Sequence, residues 1–218
     1  MSKRLTMSFV ATGLALVGLN TMAFGGGWSV ATLDEWPTQV VANQPFTISY
    51  SLRQHGVRLL RNQFGRAIFE QPVQGALPLT FEVRPTHSEG HYTATITLPS
   101  AGQWQWQLHA FGQHAMPPIT VHAGPPSAGQ PFETPHSAAL GRILFVAKGC
   151  SSCHRHEASP GGYSEGPPLP NRTLTAEFLR QWLGDPKSLL PTTRMPNLGL
   201  QPGEIEALTA FLMSDQQS

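Results

Sequence analysis

Cysteine is almost missing from this chain: its 218 residues include two, Cys150 and Cys153. That excludes the disulfide framework of a small secreted scaffold. It also excludes lipid attachment at an N-terminal cysteine, because both lie in the last third of the chain. Charge is sparse too, at 12% Asp, Glu, Lys and Arg. No charged residue falls between Arg4 and Asp34. There is no run of like charges and no basic surplus, so nothing marks a partner in nucleic acid or an anionic membrane. No stretch reaches the about 18 or more strongly apolar residues expected of a membrane span.

The uncharged N-terminus reads as a secretory signal over residues 1–23. Lys3 and Arg4 supply its positive start, Met7 to Leu19 its mostly apolar middle, and Thr21-Met22-Ala23 a small-residue cleavage site. An uncleaved membrane anchor is the alternative, although Thr12, Gly13 and Gly18 make it a poor span. Cleavage is expected, with export to the periplasm or otherwise out of the cytoplasm. Without Lys3 and Arg4 the 14 basic residues become 12, against 13 acidic ones, so the mature chain is nearly neutral.

With 20 prolines and 21 glycines, the chain is rich in turns and is not helical throughout. Residues 24–123 form the first candidate domain. Phe46, Ile48, Tyr50 and Leu52 alternate with Thr47, Ser49 and Ser51. Tyr92, Ala94, Ile96 and Leu98 alternate with threonines, and Trp104, Trp106 and Leu108 with Gln103, Gln105, Gln107 and His109. Period two over such lengths means strands with one buried and one wet face. Shorter candidates are Trp28–Leu33, Val57–Leu60, Arg66–Phe69, Leu79–Val83 and Ile119–His122. About seven short strands in ~95 residues predict an antiparallel sandwich. Gly90-His91-Tyr92-Thr93-Ala94, followed by Leu98-Pro99-Ser100-Ala101-Gly102-Gln103-Trp104, resembles the immunoglobulin-like domains of the YtkA/FixH type. That resemblance implies a fold, not a function.

A proline-rich linker occupies 124–136, including Gly124-Pro125-Pro126 and Pro131 to Pro135. Beyond it, over 137–218, the period turns helical. One helix is expected from Ser137 to about Lys148, with Gly141 and Phe145 on one face and Ser137 as its cap. A second is expected over Thr175–Leu183, with Phe178, Leu179 and Trp182 turned inward, stopped by Gly184 and Pro186. A last helix, about Pro202 to Met213, carries Ile205, Leu208, Phe211 and Leu212 as an apolar stripe. Glycine at 141 permits close approach of the first and last helices.

The two cysteines stand in Cys150-Ser151-Ser152-Cys153-His154, the C-x-x-C-H pattern that attaches a c-type haem. Each thiol adds across a porphyrin vinyl group, and the adjoining imidazole becomes the proximal iron ligand. A thioredoxin-like redox pair would need a strand leading into the motif, and none is visible. A zinc site would need a second ligand pair elsewhere, and none is present. Attachment of haem c outside the cytoplasm agrees with an export signal.

From Ser137 onward the chain resembles a class I cytochrome c. The resemblance rests on Gly141, Phe145, the Cys150–His154 motif, Gly166-Pro167-Pro168-Leu169, Trp182 with Asp185-Pro186, Arg194-Met195-Pro196 and the closing helix. It implies crossed first and last helices, one haem in an apolar crevice, and electron transfer. The fold class expected is therefore an all-β immunoglobulin-like sandwich followed by an all-α class I cytochrome c domain.

Of six methionines, Met1, Met7 and Met22 leave with the signal, Met116 belongs to the other domain, and Met213 suits helix packing. Met195, in a proline-flanked loop at the family's ligand position, is the candidate second axial ligand of the iron opposite His154. The resemblance also implies that Pro167 offers its carbonyl to the second nitrogen of His154. Trp182 has two readings, a haem-pocket residue near a propionate or a plain core side chain. Tyr163 could serve the pocket or the loop alone, and His156 is expected in solvent. No pattern requires the crevice to borrow a strand from the sandwich, so the two domains are expected to be independent.

A complete His/Met pair leaves the iron no open position, which favours an electron carrier over an enzyme, without excluding a catalytic haem. The alternatives are a haem-based sensor or haem enzyme with a labile sixth ligand, and a copper-handling accessory protein using His109, His114, Met116 and His122. The partners implied are a redox donor and an acceptor, among them a membrane-associated redox complex, with the sandwich as docking or accessory domain.

Overall fold

The computed structural model describes residues 27–125, 137–156, 165–169 and 174–214. The signal segment, most of the linker and Tyr163 lie outside them. No helix among the described residues is long and apolar enough to cross a membrane.

Nine strands make the N-terminal all-β domain: β1 (Ser29–Leu33), β2 (Val40–Val41), β3 (Pro45–Gln54), β4 (Arg58–Leu59), β5 (Gly65–Glu70), β6 (Leu79–Pro85), β7 (His91–Thr97), β8 (Gly102–His109) and β9 (Gln113–His122). Their order is β1-β3-β7-β6-β5-β8-β9-β2, with β4 paired to β3. All pairings are antiparallel except β2 with β9. Strand β6 pairs with β7 at its end and with β5 along its length, and so links the two halves. The halves share one core. Tyr50, Tyr92 and Ile48 come from one side, and Phe69, Trp106 and Leu108 from the other. Phe46 meets Phe69 edge-on across the core at 6.4 Å. The alternation in β7 appears as a buried residue at every second position. The arrangement fits an immunoglobulin-like domain.

Between β3 and β4 the chain reverses through His55 (φ 51°) and Gly56 (φ 71°). Val57 N–H donates to the Gln54 carbonyl at 3.1 Å. Gln54 pairs with Arg58, so His55, Gly56 and Val57 form a three-residue hairpin loop whose first two residues are left-handed. Glycine at the second position relieves the steric cost of that conformation.

The C-terminal domain holds α1 (Ser137–Ala147), α2 (Ala176–Gly184), α3 (Pro186–Leu189) and α4 (Pro202–Ser214). A Cβ on Gly141 would collide with the Ala207 carbonyl, so α1 and α4 cross at backbone contact. Leu144 and Phe145 of α1 pack there with Leu208, Phe211 and Leu212 of α4.

Two expectations change. Pro186 does not only end α2: Asp185 closes that helix, then accepts from Lys187 N–H as cap of α3, with Pro186 in its first turn. Leu179 and Leu183 supply the buried face of α2, while Phe178 is 37% exposed.

The domains touch along the start of the haem motif. Lys148, 2% exposed, donates from Nζ to the Asp34 carbonyl at 2.8 Å. The same ammonium pairs with Glu204 Oε1 at 2.7 Å. Burial of such a cation requires partners of this kind. A Cβ on Gly149 would strike Val30, Ala147 is buried in the sandwich core, and Trp36 packs against both cores.

Candidate functional site

Helix α1 delivers the chain through Lys148 and Gly149 into a single 3-10 turn, Cys150–Ser152. Cys153 N–H and His154 N–H both bond back to the Cys150 carbonyl, at 3.1 and 2.9 Å. This winding brings Cys150, Cys153 and His154 onto one cavity of about 380 Å³. Burial pushes the Cys150 thiol up to about 12, and burial followed by Glu165 raises that of Cys153.

His154 Nδ1 lies 2.9 Å from the Pro167 carbonyl oxygen. A carbonyl only accepts, so Nδ1 carries the proton and Nε2 the lone pair. Gly166 lies flat against the imidazole, where a Cβ would collide with the ring. The hydrogen bond that the resemblance implied is therefore present in the geometry.

Met195 lines the same cavity. Its N–H donates to Thr193 Oγ1 at 3.2 Å, and its Sδ accepts from Trp182 Nε1 at 2.9 Å. Trp182 stacks on Phe178, with centroids 5.6 Å apart. Both rings line the cavity, so Phe178 is exposed towards the site. Trp182 thus lines the cavity, half-buried, with its indole N–H turned to Met195. Phe145, Leu169, Leu179, Leu183 and Leu208 add apolar wall.

The donor set suits a haem c: two thiols two residues apart, an imidazole with its second nitrogen tied down, a thioether, and a mainly apolar cavity. A carboxylate-rich site for a hard cation is not what these residues make.

His156 is not in solvent. It is 3% exposed, stacked on Phe211 at 4.5 Å and tilted against Phe145 at 5.3 Å. A bridge to Leu169 turns the chain inward after the motif and carries the ring over the α1/α4 crossing.

The cavity is not made by the helical domain alone. Val30, Thr32, Arg53, His55, Gly56 and Val57 of the sandwich also line it. Sequence patterns missed these residues, because the contact joins positions about a hundred apart. The only local signal was the turn-forming His55-Gly56 pair.

The candidate copper ligands do not converge. Met116 is buried in the sandwich core. The His114 ring meets Ser29 Oγ at 3.1 Å and the Ala110 carbonyl at 3.2 Å. No group of three or more His, Cys, Asp or Glu among the described residues is placed to hold a metal ion.

No curated protein sequence matches the chain. Among solved structures, the Lin-41 filamin domain is similar at 12% identity, covering 43% of this chain and 93% of that one, with TM-score 0.36. A superoxide reductase (neelaredoxin) from Ignicoccus hospitalis is similar at 20% identity, covering 43% of this chain and 80% of that one, with TM-score 0.30. At such TM-scores these likenesses carry no argument. The family comparison falls on the C-terminal part of the molecule, where the Cys150–His154 motif, the Pro167 carbonyl and Met195 meet. Residues 138–216 match the family model for cytochrome c, and the C-terminal helical region is a cytochrome c domain.

Proposed function

We propose that this chain is an exported mono-haem c-type cytochrome that carries single electrons between two redox proteins. The observation that carries the proposal is the meeting of His154 and Met195 on one cavity with both cysteines. Cys150 and Cys153 would hold the macrocycle through thioethers. His154 would give Nε2 to the iron, its other nitrogen held in one tautomer by the Pro167 carbonyl. Met195 would give Sδ to the same iron. The apolar side chains keep water from the site and so disfavour the more highly charged ferric state. When bound, haem c supplies a one-electron ferric/ferrous couple, and a thioether ligand favours its reduced form. An imidazole and a thioether both offered to the iron would leave a substrate no vacancy, which supports carrier over enzyme or sensor.

Export rests on the residue 1–23 signal and on where haem c is attached. The sandwich serves as docking or accessory domain for a redox partner, among them a membrane-associated complex.

Visible spectra of the matured protein, oxidised and reduced, with and without carbon monoxide, test the proposal. The expected result is haem stain retained on a denaturing gel, a weak far-red sulfur-to-iron band in the oxidised form, and no rapid change with carbon monoxide. Rapid carbon monoxide binding by the reduced wild type would turn the assignment to sensing or catalysis.

A further inference from the structure

We propose that the β3–β4 turn of the sandwich is a wall of the haem site, so that the N-terminal domain is a structural part of the redox centre and tunes it. This rests on the haem reading above.

The turn reaches the motif itself. A Cβ on Gly56 would lie 3.5 Å from Cys153 Sγ, ordinary van der Waals contact. On either side of Gly56, His55 and Val57 line the cavity that His154 and Met195 also line, and Val30 and Arg53 extend the same surface along β1 and β3. Val57 is 51% exposed, an apolar side chain without protein cover on a cavity that is mostly apolar. A flat apolar macrocycle joined to Cys153 is a cover of the right chemistry. Arg53, held by Thr32 Oγ1 at 3.4 Å and Ser51 Oγ at 2.5 Å, brings a positive charge to the same wall.

The turn is also fixed in place. The Lys148 ammonium ties Asp34 of the sandwich to Glu204 of α4, and Gly149 rests on Val30 one residue before Cys150. The three-residue loop has little freedom of its own, being closed by its Val57–Gln54 hydrogen bond. A wall held this firmly sets how much of the Cys153 edge water reaches and which charges the iron senses, two determinants of haem potential.

The test uses full-length matured protein. In wild type, the methyl resonances of Val30 and Val57 are expected to move between the ferrous and ferric forms, while those of Val73 stay put. Val73 is 63% exposed and lies off the cavity. Val57→Asp and Val57→Lys are then compared. The carboxylate stabilises ferric iron and lowers the reduction potential, and the ammonium raises it. The same pair at Val73 should leave the potential unchanged. A purely structural role for Val57 would move both variants the same way. The proposal is overturned if the Val57 methyls ignore the oxidation state, or if the two Val57 variants share one potential while keeping the wild-type visible spectrum. Absence of covalent haem from wild type would overturn the haem reading and this proposal together.

Discussion

Trp182 Nε1 donates a hydrogen bond to Met195 Sδ at 2.9 Å, tying α2 to the loop that follows α3. The sulfur has two lone pairs, so the bond orients the thioether without consuming its capacity as a ligand. Trp182→Phe keeps a ring for the stack on Phe178 and removes the donor. A lost neutral hydrogen bond of about 1 kcal/mol should raise carbon monoxide binding by the ferrous protein roughly fivefold. Met195→Ala should bind it far faster and lose the far-red band. Met195→His should show a lower potential with six-coordination kept, since imidazole favours ferric iron more than a thioether does. Stopped-flow mixing and redox titration check all three.

Lys148 is a buried cation with its partners built in, so removing one side of the pair exposes the cost of burying the other. Lys148→Met should destabilise the protein by about 3–5 kcal/mol, and adding Glu204→Leu should restore most of the loss. Denaturant midpoints followed by tryptophan fluorescence measure both.

Gly141 sits within a helix, where replacement by alanine ordinarily stabilises by up to about 1 kcal/mol. Here the sign should reverse. The Ala207 carbonyl stands where the new methyl would go, and forcing α1 from α4 should cost roughly 1–3 kcal/mol. Thermal unfolding of Gly141→Ala against wild type decides the sign.

His114 has its proton affinity lowered by burial, against a raising contribution from the Ala110 carbonyl and a further lowering one from His109. Its folded pKa therefore lies below its unfolded value, and the unfolded state takes up the proton first. Stability from this group is present above the unfolded histidine value of about 6.5 and declines as pH falls towards the folded one. Between pH 7 and 5, wild type should lose more stability than His114→Gln. Denaturant midpoints at the two pH values test this, and equal losses would contradict it.

Much of the fold was legible because burial writes itself locally. Tyr92, Ala94 and Ile96 point one way and their threonine neighbours the other, and the strand lies where the alternation is. Gly141 signalled a close helix crossing because only glycine leaves room for one. The Cys150–His154 motif was legible because attachment chemistry dictates residue type and spacing together. The approach of Arg53, His55 and Val57 to the cavity was not, since each has an ordinary local role and reaches the site only through the docking of two domains. His156 misled for the same reason: a histidine beside an exposed-looking loop became buried through a distant bridge to Leu169. At Asp185-Pro186, the same residues that stop one helix also start another, and period alone does not separate these roles.

The shared anchoring of Trp36, Ala147 and Lys148 has a mechanical consequence. These contacts predict that the described parts of the chain tumble as one particle, with a single rotational correlation time. The span from any point on the sandwich surface to Cys153 is then a constant of the molecule. Were a redox protein to dock on the sandwich, as proposed, it would be held at a set tunnelling distance from the thioether edge, and affinity at one surface would become electron-transfer rate at another.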